Sequence, residues 1–212
     1  MESFVADRKT AEIVAKGLLE IEAIKLQPES PFTWASGWKS PIYCDNRLSL
    51  SFPEFRRSIT VALAEVIKAK YPEAESISGV ATAGIPQGAL VAQELNLPFN
   101  YVRSKAKGHG MTNLIEGKVV EGQKTVVIED LVSTGGSSLK AVEDLRASKI
   151  EVLGMAAIFT YDFDVAKLNF ETHSCPLVCL SDYNVLLEIA NLSTEQIEEL
   201  KKWREDPSSW KK

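Results

Sequence analysis

Hydrophobic positions along the chain follow two spacings, one typical of amphipathic helices and one typical of buried strands. Apolar residues three or four positions apart predict helices over residues 9–26, 53–70, 87–95, 134–148 and 194–203. Short apolar and β-branched runs predict strands over residues 77–81, 99–103, 124–130, 151–161 and 177–180. Aromatic and small residues with turn signals predict a short β-hairpin over residues 32–45, and a turn is predicted at residues 84–86.

Alternation of these strands and helices predicts an α/β fold with a mostly parallel central sheet flanked by helices. We expect a single domain over residues 1–212. The first fifty or so residues, together with the C-terminal segment, are predicted to form a small hood. The hood would lie over the carboxyl edge of the sheet, where ligands of α/β proteins bind.

Composition and charge argue against several kinds of binding partner. The net charge of −5 argues against a broad basic surface for nucleic acid. There is no apolar run near twenty residues and no signal-peptide layout at the N-terminus, so we expect no membrane partner. The three cysteines are interpreted as reduced thiols of a cytoplasmic protein. The few Cys and His residues do not suggest a structural metal site.

The run VVIEDLVSTGGSS, residues 126–138, is the most informative segment of the chain. It combines an apolar strand, two adjacent acids, a short loop of glycines and hydroxyl residues, and the start of a helix. Carboxylates accept hydrogen bonds from sugar hydroxyls, and backbone N–H groups at a helix N-terminus favour phosphate. We therefore predict a sugar-phosphate site. Its candidate residues are Glu129, Asp130, Leu131, Val132, Ser133, Thr134, Gly135, Gly136 and Ser137.

The polar segment 104–116 is a second candidate for function, because long polar loops in compact domains are often functional. Arg103, Lys105, Lys107 and His109 occur at alternate positions in and before it. Four potential cations on a loop suit pyrophosphate, whose charge must be neutralised as it leaves. A solvated surface loop is the alternative interpretation.

Two further segments carry candidate binding residues. Residues 32–47 include several aromatic side chains, of which Tyr43 is a candidate for base contact; packing within a hairpin core is the alternative. Residues 79–88 join a strand to a helix, and the N–H groups near Ala83 and Gly84 could cradle an anion. A plain strand-to-helix turn is the alternative there.

These four segments, in their order along the chain, resemble the orotate phosphoribosyltransferases, a branch of the type I phosphoribosyltransferases. Residues 126–138 resemble the signature for 5-phosphoribosyl-1-diphosphate (PRPP), and residues 101–110 with Ile115, Glu116 and Gly117 resemble the family's catalytic loop. The Phe-Thr-Trp-Ala-Ser-Gly sequence at residues 32–37 looks like a Gram-positive-type subgroup. The resemblance covers nearly the whole chain.

The resemblance implies transfer of phosphoribosyl from PRPP to orotate, with Mg²⁺ as cofactor, in a homodimer with shared active sites. Glu129 and Asp130 would hold the ribose hydroxyls, and residues 133–138 the 5′-phosphate. Arg103, Lys107 and His109 would reach the pyrophosphate across the dimer interface, and Ser133 would contact orotate. Lys105 would compensate for Ser104, where the family commonly has a second cation.

The chain departs from the family at four positions. Ala35, Ala83, Ser104 and Phe163 stand where many members carry Lys or Arg. Two alternatives therefore stay open: transfer to another base, and a non-catalytic regulator that senses PRPP. A regulator that contacts nucleic acid should carry a basic face or an added DNA-binding domain. The acidic charge balance argues against that alternative.

Overall fold

A computed structural model describes residues 4–33, 39–105 and 114–210 of the chain. The helices are α1 (Arg8–Glu20), α2 (Pro53–Lys70), α3 (Gly84–Leu95), α4 (Gly136–Ala147), α5 (Asp164–Thr172), α6 (Tyr183–Ile189) and α7 (Thr194–Glu205), with a 3₁₀ helix at Asn46–Ser51. The strands are β1 (Ile24–Leu26), β2 (Phe32–Thr33), β3 (Lys39–Ser40), β4 (Ile42–Cys44), β5 (Ser76–Val80), β6 (Phe99–Val102), β7 (Ile115–Glu116), β8 (Lys124–Val132), β9 (Glu151–Thr160) and β10 (Leu177–Asp182).

The predicted mostly parallel central sheet is confirmed. Six strands lie in the order β10-β9-β8-β5-β6-β7, and only β7 runs antiparallel to its neighbour. The long strand β8 lies inside the sheet, and its residues Val126, Val127 and Ile128 are completely buried. Burial on both faces explains why this strand is a continuous apolar run rather than an alternating one.

The N-terminal region forms two small antiparallel sheets beside the main one. Strand β1 pairs with β4, and β2 pairs with β3. The hairpin predicted over residues 32–45 is therefore confirmed for β2 and β3, whereas β4 takes a partner from earlier in the chain. The helix predicted to run to residue 26 is wrong beyond Glu20, because Glu22 adopts a left-handed backbone with φ of 56°. Residues Ile24–Leu26 then leave in extended form.

Other helix boundaries shift by a few residues for identifiable reasons. Helix α2 matches the prediction, with Pro53 in its first turn. The turn predicted at residues 84–86 is wrong: these residues form the first turn of α3, which accommodates Pro86 because no intrahelical N–H bond is needed there. Helix α4 begins at Gly136 rather than residue 134, since Gly135 is left-handed. Helix α7 begins with a capping box between Ser193 and Gln196.

Helix α3 lies unusually close to the sheet because small residues remove the usual separation. A Cβ on Gly84 would overlap the carbonyl oxygen of Ile128, and one on Gly79 would lie 2.7 Å from the carbonyl oxygen of Gly84. Such contacts can be met only by glycine. The close approach brings the turn at residues 81–83 next to the carboxyl end of β8.

Among the described residues, no helix is both long and apolar enough to cross a membrane. The three cysteines all fall within the described ranges and are free thiols. Cys175 and Cys179 are buried in the core, and Cys44 is partly buried.

Candidate active site at the carboxyl end of the sheet

A cavity of about 370 Å³ opens between the turn after β5, the end of β8 and the segment that follows β4. Three separate parts of the chain therefore converge at the carboxyl edge of the sheet, as expected for a ligand site in an α/β fold. The cavity is lined by Cys44, Asp45, Arg47, Ala81, Thr82, Ala83, Glu129, Asp130, Leu131 and Ser137.

The two predicted acids occupy different environments at the end of β8. Glu129 is only 6% exposed, and its carboxylate accepts hydrogen bonds from the Ser138 hydroxyl at 2.9 Å and the Asp130 N–H at 3.0 Å. Asp130 is half-buried and lines the cavity. Ser138 belongs to α4, so Glu129 ties the strand to the helix that follows it, while Asp130 lines the open space.

Burial sets the ionisation of this pair. Desolvation, with the Asp130 charge as a second cause, raises the pKa of Glu129 well above its usual range. Desolvation also raises the pKa of Asp130, although hydrogen bonding with Glu129 and the Arg47 charge oppose it. Nearby positive charge therefore offsets only part of the cost of burying these two carboxylates. Such a pair favours hydroxyl donors or a cation in the space beside it.

The loop between β8 and α4 presents backbone donors. Gly135 lies at the start of α4 with φ of 83°, and no side chain among the described residues caps the first turn. The N–H groups of that turn, including those of Gly136 and Ser137, are consequently suited to an anion. Residues 133–135 form the loop that joins β8 to α4, and Gly136 and Ser137 begin the helix. Ser133 is half-buried, and Val132 is buried.

Helix α5, which the sequence analysis missed, supports this loop from behind. The Asn169 side chain donates a 2.9 Å hydrogen bond to the carbonyl of Thr134. A Cβ on Gly135 would lie 2.6 Å from the ring of Phe170, so the loop packs directly on the helix. Glycine is therefore needed at position 135 both for the left-handed backbone and for the close packing against Phe170.

A second helix N-terminus borders the cavity. Ala83 precedes α3, whose first turn also has no side-chain cap among the described residues. The Ala81–Thr82 peptide bond just before it is cis. Ala83 lines the cavity, whereas Gly84 is buried and serves close packing. Two helix N-termini thus approach one cavity, and each favours negative charge.

The segment after β4 adds contacts that the sequence analysis did not assign. Asn46, which is 1% exposed, donates a 2.6 Å hydrogen bond from its side-chain amide to the carbonyl of Asp130. Arg47 donates two hydrogen bonds to the Asp45 carboxylate, from Nε at 2.6 Å and from Nη2 at 2.8 Å. An Asp-Asn-Arg run at the end of a strand was the available signal, but nothing local showed what it contacts.

The predicted cationic loop is only partly described. The Arg103 side chain contacts Glu116 at 3.4 Å, and Lys105 is exposed. Lys107 and His109 lie outside the described residues, as does Ala35. The cavity lining includes neither Arg103 nor Lys105.

The two aromatic positions singled out in the sequence differ in environment. Tyr43 is 41% exposed and its ring lies 5.6 Å from that of Phe32. Phe163 is buried and packs 5.5 Å from Tyr161 and 5.6 Å from Trp203, between ring centroids. Phe163 therefore belongs to an aromatic cluster where a cation would be poorly accommodated.

Comparison with known proteins identifies the lineage. The phosphoribosyl transferase domain model matches residues 52–183. The orotate phosphoribosyltransferase of Cytophaga hutchinsonii is 57% identical over 203 residues, which cover 94% of this chain and 97% of the relative. The chain belongs to the orotate phosphoribosyltransferase family. The Bacillus subtilis member is 52% identical over 202 residues, covering 93% of this chain and 94% of the relative.

A solved structure agrees with the family assignment. The crystal structure of orotate phosphoribosyltransferase from Aeropyrum pernix superposes with a TM-score of 0.73 at 29% identity, covering 82% of this chain and 96% of that one. The predicted type I phosphoribosyltransferase fold is confirmed. Membership of the orotate phosphoribosyltransferases also favours orotate over the two alternatives that the sequence left open.

Proposed function

We propose that the chain transfers the 5-phosphoribosyl group of PRPP to orotate, giving orotidine 5′-monophosphate and pyrophosphate in pyrimidine nucleotide synthesis. It is accordingly a pentosyltransferase. The observation that carries this proposal is the convergence of the Glu129–Asp130 pair with two uncapped helix N-termini on one cavity. Carboxylates that can accept hydrogen bonds from hydroxyls line the same cavity as two helix N-termini that favour phosphate, as a ribose with phosphates at both ends requires.

In this proposal the ribose lies over the end of β8. Asp130 and Glu129 accept hydrogen bonds from the 2′- and 3′-hydroxyls, and their negative charge stabilises the sugar as it becomes oxocarbenium-like. The raised pKa values indicate that burial of these charges is costly, and hydroxyl donors would reduce that cost.

The 5′-phosphate would bind the loop formed by Ser133, Thr134, Gly135, Gly136 and Ser137. The left-handed Gly135 turns the chain into α4, whose first-turn N–H groups have no side-chain cap and would donate to the phosphate. Leu131 and Val132 belong to the end of β8 and set the position of this loop. Side-chain hydroxyls of Ser133, Thr134 and Ser137 add donors.

The diphosphate would lie toward Ala83 and Gly84, at the N-terminus of α3. We propose that Arg103, Lys105, Lys107 and His109 close over it, neutralise the leaving pyrophosphate and exclude water that would otherwise hydrolyse PRPP. The bond from the anomeric carbon to the diphosphate oxygen breaks and its electrons stay with pyrophosphate, while N1 of orotate bonds to that carbon and releases its proton to solvent. Positioning and charge stabilisation suffice, so no covalent protein nucleophile is needed.

Mg²⁺ is the proposed cofactor. The described residues contain no cluster of three or more side chains suited to holding a metal. The cavity does offer hard oxygen atoms on Asp130 and Glu129, and substrate phosphate and hydroxyl oxygens would complete the coordination. When bound, the ion supplies positive charge to the diphosphate.

The orotate ring would lie between the end of β8 and the hood. Tyr43 offers an exposed aromatic face, and Ser133 offers a hydroxyl donor. We further propose a homodimer in which the cationic loop of one protomer reaches the site of its partner, a cytoplasmic location consistent with three free thiols, and neither a nucleic-acid nor a membrane partner.

The direct test is loss of orotate absorbance when purified protein, Mg²⁺ and PRPP are mixed, with uracil, hypoxanthine and adenine as parallel substrates. We expect PRPP-dependent loss with orotate alone. Turnover of a different base would overturn the assignment of orotate while keeping the PRPP site. Binding of PRPP without turnover of any base would instead support a regulator.

A further inference from the structure

The charge balance of the cavity is unfavourable for the substrate proposed to enter it. Its described lining carries three carboxylates, those of Asp45, Glu129 and Asp130. Arg47 is the single cation among the described lining residues. PRPP brings a diphosphate and a phosphate, so a cation close to the diphosphate is electrostatically valuable. The turn at Ala83 provides backbone N–H groups but no charged side chain.

The Arg47 guanidinium is held in a defined orientation. Arg47 lies three residues after the end of β4, in the first turn of the 3₁₀ helix. Asp45 accepts a hydrogen bond from the Arg47 N–H at 3.2 Å and two more from its guanidinium at 2.6 and 2.8 Å. The Arg47 side chain is still 61% exposed, and Nη1 takes no part in the fork to Asp45. A guanidinium ordered in advance loses less freedom when it binds an anion.

The acid that orients Arg47 stays ionised. Hydrogen bonding from Arg47 lowers the pKa of Asp45 below its usual range. The charge of Arg47 also reaches Asp130, because it opposes the upward shift of the Asp130 pKa. Arg47 therefore lies close enough to the ribose-binding acid to act on the same substrate.

We propose that Arg47 is a substrate-binding residue that contacts the diphosphate of PRPP, opposite the N-terminus of α3, and supplies the charge that Ala83 lacks. The inference rests on the proposed function, since it takes the anion in this cavity to be that of PRPP. Asp45 is then a positioning residue, which acts through Arg47. The other anion of the reaction, the carboxylate of orotate, is the alternative that the test must separate.

The test compares wild type with Arg47→Ala and Arg47→Lys by calorimetric titration with pyrophosphate in Mg²⁺ and by steady-state kinetics. Loss of a charge-assisted hydrogen bond predicts a fall of roughly 10- to 100-fold in pyrophosphate affinity for Arg47→Ala, with a similar rise in KM for PRPP. KM for orotate should stay unchanged. Arg47→Lys should be intermediate, because Lys keeps the charge but not the fork with Asp45.

Two further variants sharpen the result. Arg57→Ala removes an exposed arginine that pairs with Glu94 outside the cavity, and it should leave pyrophosphate binding unchanged. Adding Ala83→Lys to Arg47→Ala should restore part of the lost pyrophosphate affinity. A merely structural role for Arg47 would not be rescued by charge placed across the cavity. Thermal unfolding shows whether each variant is folded, and Arg47→Gln serves if Arg47→Ala is not.

Equal pyrophosphate affinity in wild type and Arg47→Ala would overturn the inference, as would a loss confined to KM for orotate. The titration needs no turnover. If wild type bound pyrophosphate and Arg47→Ala did not, while orotate was never consumed, the proposed function would fail and the role of Arg47 in anion binding would stand.

Discussion

Glu129 and Asp130 are neighbouring acids whose side chains make different contacts. Successive side chains of a strand leave on opposite faces. Glu129 reaches the Ser138 hydroxyl on α4, while the Asp130 carbonyl is bound by Asn46 and its carboxylate lines the cavity. Glu129 thus joins the proposed ribose site to helix α4, and Asp130 joins it to the segment that follows β4.

We predict that Glu129→Gln is more stable than wild type at neutral pH but much less active. A carboxylate with a raised folded-state pKa costs stability as pH rises from its unfolded value through its folded value, and the amide avoids that cost. The stability gain should therefore disappear in acid, where Glu129 is protonated. The affinity for PRPP should fall by roughly 10-fold or more, because an ionised acceptor is lost.

Thermal unfolding from pH 4 to pH 8 and PRPP kinetics check this prediction. Glu121→Gln, at an exposed acid paired with Lys149, is the control and should change neither property. A Glu129→Gln variant that is less stable than wild type at pH 8 would contradict the argument.

Residues at the site differ in how far sequence alone can locate them. The Glu129–Asp130 pair and its loop form one continuous motif, so local pattern was enough to predict them. The contact from Asn46 to Asp130 joins positions 84 residues apart. Arg47 lines the cavity only because folding brings the segment after β4 next to the end of β8. Long-range contacts of this kind leave no local periodicity.

At the scale of elements, α5 is the support that the sequence analysis missed. It has nine residues, too few for helical periodicity to stand out against the flanking loops. The same holds for α6, with seven residues. The error in α1 had a different cause: apolar spacing continued past Glu20, but the left-handed backbone at Glu22 ended the helix. Tertiary pairing with β4 then outweighed local preference.

We predict that Asn169→Ala weakens PRPP binding without affecting orotate. Loss of the hydrogen bond to the Thr134 carbonyl should loosen the phosphate loop and raise KM for PRPP by roughly 5-fold, as expected for one neutral hydrogen bond. Leu168→Ala, at a residue 61% exposed on the same helix, is the matched control. Steady-state kinetics decides, and equal KM values for Asn169→Ala and Leu168→Ala would remove α5 from substrate binding.

At the scale of the molecule, strand and helix alternation predicted the parallel sheet and located ligand binding at its carboxyl edge. The sequence did not predict that separate segments of the chain meet at this edge, because their approach depends on close packing at Gly79 and Gly84. In the sequence, Gly79 falls within a predicted strand and Gly84 within a predicted turn, and their contacts with the backbone of α3 and β8 emerge only in three dimensions.

We predict that two inactive variants restore activity when mixed, if active sites are shared in a homodimer. Lys107→Ala should lower kcat strongly by removing one of the four proposed pyrophosphate-binding cations, and Glu129→Gln should weaken ribose binding, each with the fold intact. After equal mixing and subunit exchange, half of the dimers would be mixed and one of their two sites intact, so activity should recover to about a quarter of wild type. Activity no higher than that of the separate variants would mean that each protomer is self-sufficient.

The hydrogen bond from Asn46 to the Asp130 carbonyl has a consequence for how the family can diversify. The segment after β4, next to the proposed hood, is joined to the strand that carries the proposed ribose-binding acids. A hood exchanged between relatives to alter base preference would bring a new fit to this carbonyl with it. Base preference and sugar affinity are therefore inherited together, and a designer who wants to change one must rebuild the amide contact that joins them.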